Sequence, residues 1–145
     1  MKNKDISIYV PVFNGARTIE KCIISIINQT LKPQKILIID DCSTDDTINI
    51  IKNFSETIEV IQNKENLGLS YSRNLAVNYL KTKYIASIDA DIELTNDWLE
   101  KIYNIAKTKN VNFICGKTYE KYLVNQLREN FDFDGVPLNI SLRKK

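Results

Sequence analysis

The stretch Ile36-Leu37-Ile38-Ile39-Asp40-Asp41-Cys42-Ser43-Thr44-Asp45-Asp46 carries the reading of the fold. Four consecutive apolar residues follow the break at Pro33 and stop at two carboxylates. A short apolar run bounded by turn signals predicts a strand covered on both faces, as in a parallel sheet. Ser43, with the carboxylate of Asp46 three residues on, predicts a capped helix start leading into Ile48, Ile50, Ile51 and Phe54.

Upstream, Ile6, Ile8, Val10 and Val12 alternate on one face of a period-two strand whose other face carries Ser7 and Tyr9. It ends at Pro11-Val12-Phe13-Asn14-Gly15, where Asn-Gly marks a turn. Ile19, Ile23, Ile26 and Ile27 then recur at helical spacing between Ala16 and Gln29. Downstream come a third strand over 58–61, a loop at Asn66-Leu67-Gly68, and a helix over 70–80 with Leu75, Ala76 and Tyr79 on one side. A fourth strand over 84–88 runs into Asp89-Ala90-Asp91. Thr95 or Asn96 is expected to cap a helix through Trp98, Leu99, Ile102 and Ile105, and a fifth strand is expected over 111–115. Strand and helix alternate through residues 1–116, which predicts an α/β architecture: a mostly parallel sheet, right-handed crossovers, helices on both faces. Residues 117–145 show no clean period and read as the opening of a further layer on a chain that is one domain overall.

Composition narrows the chemistry. The 145 residues include no histidine, which excludes His-based triads, imidazole acid–base work and His metal sites. Any metal must then be held mainly by oxygen, which favours Mg²⁺ or Mn²⁺. Twenty basic against eighteen acidic residues leave a net charge of +2, so there is no electrostatic case for nucleic acid. Cys22, Cys42 and Cys115 are far apart and form no Cys-x-x-Cys, so reduced thiols in a cytoplasmic setting are expected. No apolar stretch approaches the roughly 18 residues of a membrane span.

The polar residues fall at strand ends: Phe13 and Asn14 after the first strand, Asp40 and Asp41 after the second, Asn66, Gly68 and Arg73 after the third, Asp89 and Asp91 after the fourth. In an open parallel sheet those ends share one edge, where ligands bind. Asp89 and Asp91 flank one small residue and can offer carboxylate oxygens to a hard ion alongside a bound diphosphate. Asp40 and Asp41 supply acceptors for the N–H of a base or a ribose hydroxyl. The ring of Phe13 offers a flat face for a base, and Arg73 a cation for phosphate oxygens.

These segments, in order Ile8-Tyr9-Val10-Pro11-Val12-Phe13-Asn14, Ser25-Ile26-Ile27-Asn28-Gln29-Thr30, Asp40-Asp41-Cys42-Ser43-Thr44-Asp45, Asn66-Leu67-Gly68 with Ser72-Arg73-Asn74, and Asp89-Ala90-Asp91, resemble family 2 glycosyltransferases. The resemblance implies an inverting enzyme of the Rossmann-like GT-A fold, with a nucleotide-sugar donor of UDP type and a saccharide, lipid or protein acceptor. By similarity, Pro11 and Phe13 line the base pocket, with Asn14 beside them among the nucleotide-binding residues. Asp41 accepts from the base with Asp40 beside it, and Arg73 lies near base or diphosphate. Asp89 contacts the ribose or a metal-bound water, and Asp91, with Asp89, holds Mg²⁺ or Mn²⁺. Cys42 stands where the family commonly has Gly or another small residue. Family domains continue past Lys145, and Asn139-Ile140-Ser141-Leu142-Arg143 resembles the start of their acceptor-binding half, so that half is expected to be truncated here. No counterpart of the general base is found: Asp132 and Asp134 precede that segment. The resemblance therefore leaves a glycosyltransferase, in the cytoplasm or peripheral to the inner membrane face, beside a donor-binding fragment or inactive relative without its own base.

Overall fold

The computed structural model describes residues 5–109, over which strands and helices alternate without exception. The strands are β1 (Ile6–Val12), β2 (Ile36–Asp40), β3 (Glu59–Gln62) and β4 (Tyr84–Ser87); the helices are α1 (Ile19–Ile27), α2 (Thr47–Lys52), α3 (Leu69–Tyr79) and α4 (Trp98–Lys109). All strand pairs are parallel, in the order β3-β2-β1-β4. The chain divides into two compact units, residues 1–101 and 102–145; the first holds the sheet, and the described part of the second is the end of α4. The fifth strand expected over 111–115, and the boundary expected after residue 116, lie outside the described residues.

Topology follows from the handedness of crossovers. The steps β1 to β2 and β2 to β3 run one way across the sheet, while β3 to β4 returns past β2 and β1. Right-handed connections then put α1 and α2 on one face and α3 on the other. On the α3 face, Ala76 and Leu80 pack with Tyr9, Leu37 and Ile39, and Leu75, Ile61 and Ile85 close the cluster. Alternation turns Ile8, Val10 and Ile38 the other way, and all three are fully buried. Each such side chain contributes about 1.5–3 kcal/mol by leaving water.

Several expectations change in detail. Every residue of β1 is buried, Ser7 and Tyr9 included, because helices cover both sides of this central strand. The helix after β2 starts at Thr47 rather than just after Ser43, whose hydroxyl is engaged elsewhere. The fourth helix begins at Trp98, with the Asp97 C=O accepting the Lys101 N–H at 3.1 Å, so the chain becomes helical beyond Thr95 and Asn96. Tyr79 does not share the buried side of α3; it is exposed and donates its hydroxyl to Glu59.

Pro11 explains where the sheet opens. Tyr9 turns its C=O toward β4 and accepts the Ile88 N–H at 3.0 Å, whereas Val12 accepts from Asp41 after β2 at 2.8 Å. Backbone groups of alternate residues point to alternate neighbours, so Pro11 faces β4 with no N–H to give. The β1–β4 ladder stops at that step, while β1 stays paired with β2 up to Val12 and Asp40. The chain after β4 is thereby released at Asp89.

Candidate functional site

The carboxyl ends of β1 and β4 flank the point where the strand order reverses, the usual place for a ligand in such sheets. Phe13 leaves the end of β1 with its side chain half-exposed, so it is not part of the core. Asn14 follows in the left-handed region at φ 51°, which Asn tolerates better than most residues. Its Oδ1 accepts the Thr44 N–H at 2.8 Å, and its own N–H donates to Ser43 Oγ at 2.9 Å. Gly15 N–H donates to Thr47 Oγ1 at 2.9 Å and Ala16 N–H to Asp45 Oδ2 at 3.1 Å. Asp45 also accepts from the N–H and hydroxyl of Thr47, which hold its carboxyl below the usual range. The turn after β1 is thus stitched to the loop after β2, and its N–H groups are occupied by side chains.

Gly15 permits a close approach. A Cβ at this position would lie 2.5 Å from Val12 Cγ2, a hard clash, and 3.8 Å from Ala90 Cβ. The turn lies beside Ala90, which places its two flanking carboxylates, Asp89 and Asp91, near the end of β1.

The two carboxylates after β2 are buried. Asp40 is fully enclosed; it accepts from Gln62 Nε2 at 3.1 Å and, more weakly, from the Ser43 N–H. Asp41 accepts from Asn63 Nδ2 at 2.7 Å and from the N–H groups of Leu67 at 3.0 Å and Gly68 at 2.7 Å. Burial pushes its carboxyl up, but these bonds outweigh burial and hold it below the ordinary aspartate value. Gly68, at φ 85°, is the last residue before α3, and five residues on is Arg73. Arg73 Nη2 reaches Asp89 Oδ1 at 3.4 Å, with both side chains partly open to solvent.

Asp41 thus fixes the start of α3, α3 carries Arg73 to Asp89, and Ala90 lies beside Gly15 in the turn bearing Asn14. Asp89 and Asp91 both act on the thiol of Cys22: burial chiefly, then these two charges, push it up to about 12. Pro11 lies buried within β1, one residue before its end. Cys42 adopts φ 65°, so backbone conformation and not size is what a glycine there would serve. The sequence did not disclose the partners of Ser43, Thr47, Asn63, Ser25 and Gln29. Their partners lie between 22 and 70 residues away in the chain, beyond any local signal.

Among the described residues no group of three or more His, Cys, Asp or Glu gathers as a metal cluster. Two exposed carboxylates on either side of Ala90 are a donor set that fits a hard divalent ion drawing its other ligands from a bound diphosphate and water. Among the same residues no helix is long and apolar enough to cross a membrane.

The chain is similar to the cholesterol galactosyltransferase of Borreliella burgdorferi, at 31% identity over 137 residues, covering 92% of this chain and 38% of that protein. Among solved structures, S. aureus TarS 1–349 in complex with UDP-GlcNAc superposes with a TM-score of 0.65 at 24% identity, covering 74% of this chain and 32% of that one. Mannosyltransferase PcManGT from Pyrobaculum calidifontis, in complex with GDP-Man and Mn²⁺, gives 0.65 at 22% identity, covering 70% and 32%. At these identities the shared property is the fold, which is GT-A-like. The chain spans little more than a third of the length of the curated relative. Residues 7–138 match the sequence pattern that describes Glycosyl transferase family 2, and the chain belongs to that family.

Proposed function

We propose that this chain forms the donor half of an inverting glycosyltransferase that moves a sugar from a nucleoside diphosphate sugar to an acceptor hydroxyl. The observation that carries the reading is the meeting of Arg73 with Asp89 at the sheet's switch point, where Ala90 lies beside Gly15 of the turn after β1. In this reading Phe13 stacks on the base above Pro11, with Asn14 shaping the turn. Asp41 keeps acceptor capacity beyond its three bonds, since a carboxylate has about four lone-pair sites, and Asp40 stands beside it in the chain. Arg73 directs donors at the diphosphate. Asp91 and Asp89 hold Mg²⁺ or Mn²⁺, which, when bound, offsets charge on the departing diphosphate. The complexes of TarS with UDP-GlcNAc and of PcManGT with GDP-Man and Mn²⁺ support this donor class and ion. UDP is the favoured nucleotide, a saccharide, lipid or protein hydroxyl the acceptor, and the cytoplasm, free or at the inner membrane face, the location.

Calorimetric titration of UDP with and without Mn²⁺ tests the reading. Wild type is expected to bind UDP more tightly with Mn²⁺, and Asp91→Ala to lose that gain; equal binding by both, or none by either, rejects the assignment.

A further inference from the structure

Helix α1 and the residue pair after it carry a buried polar stripe that no step above uses. Cys22, Ser25 and Gln29 lie at helical spacing on one side, all under a tenth exposed. Buried polar groups need partners, and four of the six bonds these side chains make go to one segment, residues 89–99. Cys22 Sγ donates to the Asp89 C=O at 3.7 Å. Ser25 Oγ donates to the Cys22 C=O at 2.8 Å and accepts the Leu94 N–H at 3.1 Å. Gln29 Nε2 donates to the Thr95 C=O at 2.7 Å and the Ser25 C=O at 3.0 Å, while its Oε1 accepts the Leu99 N–H at 2.8 Å. The Thr30 N–H adds a bond to the Asn96 C=O at 2.7 Å.

The segment from Asp89 to Asp97 has no helix or strand of its own. Its internal backbone bonds are turns, Ile92 N–H to Asp89 C=O at 3.1 Å and Trp98 N–H to Thr95 C=O at 3.0 Å. Apolar contact with α1 would leave such a segment free to slide. The Gln29 amide does not: it meets a C=O with its nitrogen and an N–H with its oxygen, so a shift of one residue presents the wrong group to both. A mismatched amide at 1% exposure forfeits its hydrogen bonds without recourse to water.

We infer that Ser25 and Gln29 are positioning residues for the Asp89-Ala90-Asp91 turn, acting through the backbone of residues 94–99 rather than on the ligand. The inference rests on the reading of Asp89 and Asp91 as the seat of a divalent ion with a diphosphate. Groups that orient ion-binding side chains commonly influence ion affinity about as strongly as some of the ligands themselves.

The test titrates UDP against the whole chain with and without Mn²⁺ and reads the gain in affinity that Mn²⁺ confers. Wild type is compared with Ser25→Ala, Gln29→Leu and a control, Ile23→Val, which trims a fully buried apolar residue of α1 that has no polar group to bond residues 89–99. Ser25→Ala and Gln29→Leu are expected to cut the Mn²⁺-dependent gain about tenfold and leave metal-free UDP affinity within about twofold. Ile23→Val is expected to lose some stability and none of the gain. Should Gln29→Leu fail to fold, Ser25→Ala, which removes one oxygen, carries the decision. A folded Ser25→Ala with the full gain overturns the inference, as does an equal loss in Ile23→Val. A wild-type chain whose UDP affinity ignores Mn²⁺ overturns the reading of Asp89 and Asp91 itself, and the inference falls with it.

Discussion

The carboxylate of Asp41 accepts the N–H of Gly68 at 2.7 Å, tying the end of one strand to the first turn of the helix that carries Arg73. A change at Asp41 is therefore felt at Arg73 without any direct contact between the two. The same carboxylate satisfies Leu67 N–H and Asn63 Nδ2, so three donors gathered on one buried carboxylate depend on a single side chain.

Replacing Asp41 by Ala strands those donors, and a loss of about 1–3 kcal/mol in unfolding free energy is expected from urea titration. The carboxyl sits below its unfolded value of about 3.9, so its contribution is present above that pH and disappears as pH falls through the depressed native value. Wild type should accordingly lose stability faster than Asp41→Asn as the pH is lowered below about 4. Parallel acid profiles for the two proteins would contradict this account.

Cys42 holds a left-handed conformation, φ 65°, that costs a residue with a Cβ about 1–2 kcal/mol. Cys42→Gly is expected to raise the denaturation midpoint at unchanged slope. Cys42→Val, with a branched Cβ, is expected to lower it by more than about 1 kcal/mol. A valine variant as stable as wild type would show that the backbone is not under this constraint.

Gly15→Ala places a methyl 2.5 Å from Val12 Cγ2, and overpacking of this kind costs about 1–3 kcal/mol. Val12→Ala removes the clashing atom, so the double variant should be more stable than the sum of the two single losses allows. Strict additivity in thermal unfolding would mean that the turn relaxes instead.

Arg73 and Asp89 form an open pair at 3.4 Å, and such pairs contribute about 0–1 kcal/mol to stability. Arg73→Ala should therefore unfold almost where wild type does. In the proposed role its guanidinium meets a diphosphate, so UDP affinity should fall about tenfold or more, corresponding to a charge-assisted bond. A large loss of stability with unchanged UDP affinity would reverse this assignment and make Arg73 structural.

Much of the architecture was readable from periodicity because it depends on local chemistry. Ile36 to Ile39 read as a covered strand, and each stop signal, Asn14-Gly15, Asp40-Asp41 and Asp89-Ala90-Asp91, fell within a few residues of an observed strand end. Parallel pairing and right-handed crossovers then required those ends to share an edge. What periodicity could not supply was the use each polar residue finds. Ser43 resembled a helix cap in sequence, but its hydroxyl binds the N–H of Asn14, because folding brings that donor closer than its own helix start. Asp40 and Asp41 were alike on paper; one is sealed beneath the sheet edge and the other clamps a loop. Gln29, two residues past the end of α1, proves to hold Thr95 and Leu99. Secondary structure and strand order grow from contacts between near neighbours and from backbone sterics, which are written into short windows of the chain. The partners of a buried polar atom are chosen by whatever donor or acceptor the packed helices leave within about 3 Å, and that is known only when distant segments have come together.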